Sequence, residues 1–68
     1  MAKVEGKTVN VGDYVCFKSD IEQGGTIIRI TRDFMGRDVL TLYSEYGFEG
    51  GYIGGQDTTQ ELAQDCWL

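Results

Sequence analysis

Few side chains in this sequence are equipped for catalysis. Histidine is absent, serine occurs only at Ser19 and Ser44, and cysteine only at Cys16 and Cys66. General acid–base work most often falls to histidine, and carboxylates alone are weak evidence for it on an acidic surface. Cys16 and Cys66 are too far apart for a Cys-x-x-Cys metal or redox pair. They read as free thiols, Cys16 buried in a strand and Cys66 near the C-terminus, its exposure left open by the sequence. Asp20, Glu22 and Asp57 lack the spacing of a calcium loop. The stretch "GGYIGG" invites a phosphate-loop reading, but a phosphate cradle needs a helix N-terminus or a lysine, and no Lys or Arg follows Arg37. The expectation is a chain that is not an enzyme and carries no cofactor or metal.

Binding chemistry is better represented. Arg29, Arg32 and Arg37 surround one turn whose tip holds Phe34 and Met35. Arginine and aromatic residues are enriched where binding energy concentrates. Against that, Asp33 and Asp38 stand beside the arginines and can neutralise them, and Phe34 can fold back on the core. Tyr43, Tyr46, Phe48 and Tyr52 crowd a short span broken by glycines. Exposed aromatics of this kind grip proline-rich peptides or stack single-stranded bases. A chain this short also needs aromatics for its core, so two of the four are expected inside. Substitution of Phe34 and Met35 by Ala is expected to weaken partner binding and spare the fold.

The elements that must position these residues are strands. At 68 residues there is room for one domain, residues 1–68. A lead-in strand is expected over Lys7–Val11. In "DYVCFK", Val15 and Phe17 face one way, Tyr14 and Cys16 the other. "SDIEQGG", Ser19 to Gly25, holds turn formers, with Gly24 and Gly25 free to take positive φ. "TIIRIT" is β-branched and reads as a strand, and Gly36 can close a hairpin after it. "DVLTLY" places Leu40 and Leu42 on one face. "GFEGGYIGG" holds five of the ten glycines around a very short strand at Tyr52–Ile53. Over residues 57–64, a short helical turn with a Thr58-x-x-Glu61 capping box competes with a closing strand. The strand is preferred, with a turn at Asp57–Thr59, a strand near Gln60–Gln64, and Leu62 and Trp67 closing the core.

Four to five short antiparallel strands in so short a chain favour a strongly bent, SH3-like barrel, because a flat sheet would expose two edges and an apolar face. The fold class expected is therefore all-β.

"VGDYVCFKSDIEQGGTIIRI", Val11 to Ile30, resembles the KOW motif. The shared parts are Gly12-Asp13, the alternating Val15 and Phe17, a polar loop to Gly24-Gly25, and the apolar strand Ile27 to Ile30. The chain also resembles small single-domain barrels encoded by bacteriophages and their hosts. The KOW resemblance implies contact with RNA, a ribosome or RNA polymerase through the loop formed by Lys18, Asp20, Glu22, Gln23, Gly24 and Gly25. This sequence departs from the motif there: Asp20 and Glu22 stand where RNA-binding versions tend to be basic, with only Lys18 beside them.

Charge weighs in the same direction. Residues 1–37 hold six basic residues against five acids, and residues 38–68 hold six acids and no base, for a net charge of −5. An acidic protein is repelled by nucleic-acid phosphate unless its bases cluster. No apolar run has the roughly 20 residues of a membrane span, and the N-terminus lacks a signal-peptide pattern, so a cytoplasmic protein without a membrane partner is expected. The leading reading is a protein-binding module, an acidic adaptor or inhibitor docking on a larger, perhaps nucleic-acid-handling, protein. The alternatives are a KOW-like RNA or polymerase contact through Lys18, Arg29, Arg32 and Arg37, and a structural component that self-associates.

Overall fold

In the computed structural model, which describes residues 2–68, six strands and one 3₁₀ turn follow one another: β1 (Ala2–Val4), β2 (Lys7–Val9), β3 (Tyr14–Ser19), β4 (Ile21–Arg32), β5 (Asp38–Tyr43), β6 (Thr58–Leu62) and η1 (Ala63–Asp65). Two antiparallel sheets result, the hairpin β1-β2 and a four-stranded sheet in the order β3-β4-β5-β6. The chain is all-β, as its β-branched alternation implies.

The expected lead-in strand over Lys7–Val11 is half of a hairpin that begins earlier. Its two-residue turn, Glu5-Gly6, has positive φ at both positions, 52° and 79°. That pair of angles is what a tight hairpin turn requires, and Gly6 meets it without strain. The hairpin buries Ala2, Val4 and Val9. Glu5 Oε1 accepts a hydrogen bond from the Leu68 amide at 2.6 Å, tying this hairpin to the C-terminus.

The largest departure from expectation is β4. It runs twelve residues and absorbs Gln23, Gly24 and Gly25, which were expected in a loop. The turn before it is far tighter: Ser19 pairs with Ile21, and Asp20 alone occupies the left-handed region at φ 66°. A short polar side chain tolerates that conformation. Gly24 and Gly25 do not have positive φ, so conformational freedom is not their role. A Cβ at Gly25 would lie 2.7 Å from the Phe48 ring, and one at Gly24 would lie 2.5 Å from the Tyr14 hydroxyl. Both glycines are there so that aromatic rings can lie against the strand.

A register shift between Ile27 and Arg29 marks a bulge at Ile28. The extra residue keeps Ile27 and Ile30 on the core side, opposite Leu42 and Leu40, and turns Arg29 outward opposite Thr41. The core also takes in Val15, Phe17, Phe48, Ile53, Ala63 and Cys66. Phe17 and Phe48 meet edge-on with ring centroids 5.4 Å apart.

The strands do not close into a barrel. β3 and β6 remain the two edges of the sheet, and a single antiparallel bridge, Cys16↔Trp67, joins the C-terminal segment to β3. Its hydrogen bonds measure 2.7 and 2.9 Å. Strand β6 starts at Thr58, inside the expected turn, and the helical element follows it as η1. Thr58 caps no helix. Tyr52 and Ile53 lie in turns rather than in a strand. Leu62 and Trp67 are half-buried. Among the described residues, no helix is long and apolar enough to cross a membrane.

Candidate functional site: a tyrosine-lined groove

Cross-strand pairing builds the site. Tyr14 of β3 pairs with Thr26 of β4, and Thr26 pairs with Tyr43 of β5. Directly opposed residues share a face, so two tyrosines flank a threonine on the outer side of the sheet. One row along the same face stand Trp67, Cys16 and Gly24. Gly24 has no side chain, and the Tyr14 ring leans over it. The result is a groove with two lobes that share Tyr14 and Gly24. The first, about 390 Å³, is lined by Tyr14, Gly24, Gly25, Thr26, Tyr43, Ser44, Glu45 and Tyr46. The second, about 190 Å³, is lined by Tyr14, Cys16, Glu22, Gln23, Gly24 and Trp67. Tyr46 is 91% exposed and Tyr14 62%.

Of the four aromatics singled out from sequence, only Tyr43 and Tyr46 reach this groove. Phe48 is the one that is buried, so one of the four is inside rather than two. Tyr52 lies elsewhere. Its hydroxyl donates to both carboxylate oxygens of Glu61, at 2.9 and 2.8 Å, and Thr59 Oγ1 donates to Glu61 Oε2 at 2.6 Å. Desolvation, then the Glu61 carboxylate, holds the Tyr52 phenol above its ordinary value. Tyr52 borders a separate hollow of about 360 Å³ with Thr41, Ile53, Gln56, Thr58, Thr59 and Gln60.

The residues assigned to a KOW-like loop are also redistributed. Gln23 exchanges two hydrogen bonds with the Glu49 backbone, at 2.5 and 3.0 Å, and Asp20 Oδ2 accepts one from the Gly51 amide at 3.0 Å. Both therefore fasten the long connection between β5 and β6. Lys18 and Glu22 face each other across β3 and β4. Glu22, Gly24 and Gly25 become groove residues.

The arginine hairpin is a different surface. Asp33 organises its turn: Oδ1 accepts from the Met35 and Arg37 amides, both at 2.9 Å, and Oδ2 accepts from Arg37 Nε at 2.8 Å. The Arg37 amide foremost, followed by the other Arg37 and Met35 contacts, outweighs desolvation and holds the Asp33 carboxyl below its ordinary value. Arg32 pairs with Asp38 at 3.4 Å. Only Arg29 of the three arginines makes no salt bridge among the described residues. Phe34 does not fold back on the core: it is 97% exposed, with Met35 at 64%.

The two thiols differ in burial. Cys16 is half-buried and Cys66 buried, and neither is in a disulfide. Burial, then the charges of Glu61 and Asp65, pushes the Cys66 thiol up to about 11. Among the described residues, no group of three or more His, Cys, Asp or Glu is placed to hold a metal ion.

Sequence reasoning missed Tyr14, Cys16, Thr26, Ser44, Glu45 and Trp67 as site residues. The signal was present in the alternation that faces Tyr14 away from Val15 and Phe17, but only the ladder register aligns Tyr14 with Tyr43. Comparison with protein-family models, with curated proteins and with solved structures finds no match.

Proposed function

We propose that this chain is a non-enzymatic protein-binding module that docks on a larger protein through the Tyr14–Tyr43–Tyr46–Trp67 groove. The observation that carries this reading is the groove itself: three exposed tyrosines and the half-buried Trp67, gathered from β3, β5, the β5–β6 connection and the C-terminus, with the Tyr14 ring lying over Gly24. Rigid aromatic rings give contact area at little entropic cost, which is why binding energy concentrates on them. The net charge of −5 suits an adaptor or inhibitor drawn to basic surfaces, including those that other proteins use for nucleic acid.

An SH3-like half-barrel is the architecture we infer. The β3-β4-β5-β6 order, the 3₁₀ turn after β6 and the Cys16–Trp67 bridge that draws the two ends of the sheet together support it. Less supports the KOW-like reading: of its loop residues only Asp20 lies in a turn, the others being in β3 and β4, and two of its arginines pair with aspartates.

The test is a pull-down from bacterial lysate with tagged wild type and a Tyr14→Ala/Tyr46→Ala variant, with and without nuclease. A protein retained by wild type after nuclease and lost by the variant is the expected result. A partner held equally by both would overturn the groove as the contact, and loss of everything on nuclease treatment would restore the nucleic-acid reading.

A further inference from the structure

We infer that the groove takes an extended cationic segment of its partner, with arginine side chains laid on the Tyr14, Tyr43, Tyr46 and Trp67 rings and reaching the Glu22 and Glu45 carboxylates. The inference rests on the groove reading above and specifies its ligand. Each lobe carries one carboxylate, Glu22 in the lobe lined by Trp67 and Glu45 in the lobe lined by Tyr46, and no basic residue lines either lobe. Neither carboxylate is in a salt bridge among the described residues. Two bases stand near the groove in the ladder without lining it: Lys18 is opposite Glu22, and Arg29 is opposite Thr41, one row beyond Tyr43.

Ring faces and carboxylates together select a particular group. A guanidinium is flat, stacks on aromatic faces and donates in a fork that a carboxylate accepts. A nucleic-acid base would share the rings but bring its phosphate against two unpaired carboxylates. A neutral apolar segment would use the rings and leave the carboxylates desolvated without partners. Gly24 lets the Tyr14 ring lie flat against the strand, which turns its outer ring face toward an incoming flat group.

The probe is a short unstructured peptide with arginines spaced by alanines, compared with its counterpart bearing glutamine at each arginine. Binding is read from amide chemical shifts of the ¹⁵N-labelled protein and from calorimetry. The arginine peptide should shift Tyr14, Gly24, Tyr46 and the Trp67 indole. The glutamine peptide should bind at least about fivefold more weakly, as should the arginine peptide to an E22Q/E45Q variant, with a loss of similar size at high salt. Both glutamates are exposed, and preserved spectral dispersion will show that the variant is folded. Equal binding of both peptides in the groove would overturn the cation inference and leave the groove reading standing. Binding of neither, or shifts confined to Phe34 and the arginine turn, would overturn the inference, with the pull-down deciding the groove reading separately. Concentration-dependent self-association abolished by Phe34→Ala would also overturn it, by making a second copy the occupant.

Discussion

The tyrosine groove and the arginine turn lie on the same hairpin, β4-β5, yet they are built in opposite ways. Thr26 marks the groove and Arg32 the turn, about 20 Å apart along the strand at ~3.3 Å per residue. The groove is concave. Its Tyr14 ring lies over Gly24, and its two carboxylates have no ion-pair partners among the described residues. The turn is convex. Phe34 and Met35 protrude from it, while Asp33 and Asp38 pair with its arginines. A tally of charge along the chain places binding capacity at the turn. The contacts place unspent capacity at the groove, because local pairing has already consumed the turn's charge. Exposed pairs of this kind are worth roughly 0–1 kcal/mol, so their effect is on what the surface offers rather than on stability.

The sharpest way to break the contrast is to attack what lies beneath the groove. Phe48→Ala should cost about 3–5 kcal/mol, because its ring packs edge-on against Phe17 and fills the space over Gly25. A domain this small has little more than that in total, so urea denaturation should find the variant largely unfolded. Gly25→Ala forces a Cβ to within 2.9 Å of the Tyr43 carbonyl oxygen as well as into the Phe48 ring. A loss of about 1–3 kcal/mol is expected. At the other end, Phe34→Ala with Met35→Ala should leave the denaturation midpoint within the change of about 0.5 kcal/mol typical of surface sites. A large loss there would mean that the turn is part of the core and the contrast is false.

Thiol labelling sharpens the same map. Cys16, half-buried beside the groove, should react first with an aromatic disulfide reagent near neutral pH. Cys66 should react only as the protein opens, being buried and protonated, with its Sγ donating to the Leu62 carbonyl at 3.4 Å. Its raised value means that the folded state favours the protonated thiol. That stabilisation is fully present below 9.0 and is lost as pH rises toward about 11. Faster labelling of Cys66 than Cys16 would contradict the packing of the C-terminus.

The smallest effect belongs to Asp33. Its folded value is depressed, so its contribution is present above 3.8 and is lost as pH falls through the lower folded value. The Met35 and Arg37 amide signals should therefore move only below pH 3.8, while the groove signals of Tyr14 and Gly24 stay in place. Movement of both sets together would mean that turn and groove are coupled.

The sequence by itself determined the all-β class, the buried pairs Val15–Phe17 and Leu40–Leu42, and the aspartate-flanked arginine turn. Each is a local pattern: side-chain alternation has a period of two, and Asp33 finds its partners within four residues. It misjudged the parts that depend on distant partners. Gly24 and Gly25 look like turn residues until Tyr14 and Phe48 are seen lying on them. The bulge at Ile28 is set by Leu40 and Leu42 across the ladder, not by "TIIRIT". The Glu5-Gly6 turn went unread because it lacks the usual asparagine or aspartate before glycine. The groove itself was decided only by tertiary structure: register aligns Tyr14 with Tyr43, and the C-terminal bridge brings Trp67 to Cys16 across 50 intervening residues of chain. A one-residue slip of either strand would send those rings to the other face, and no pattern internal to a single strand encodes that alignment.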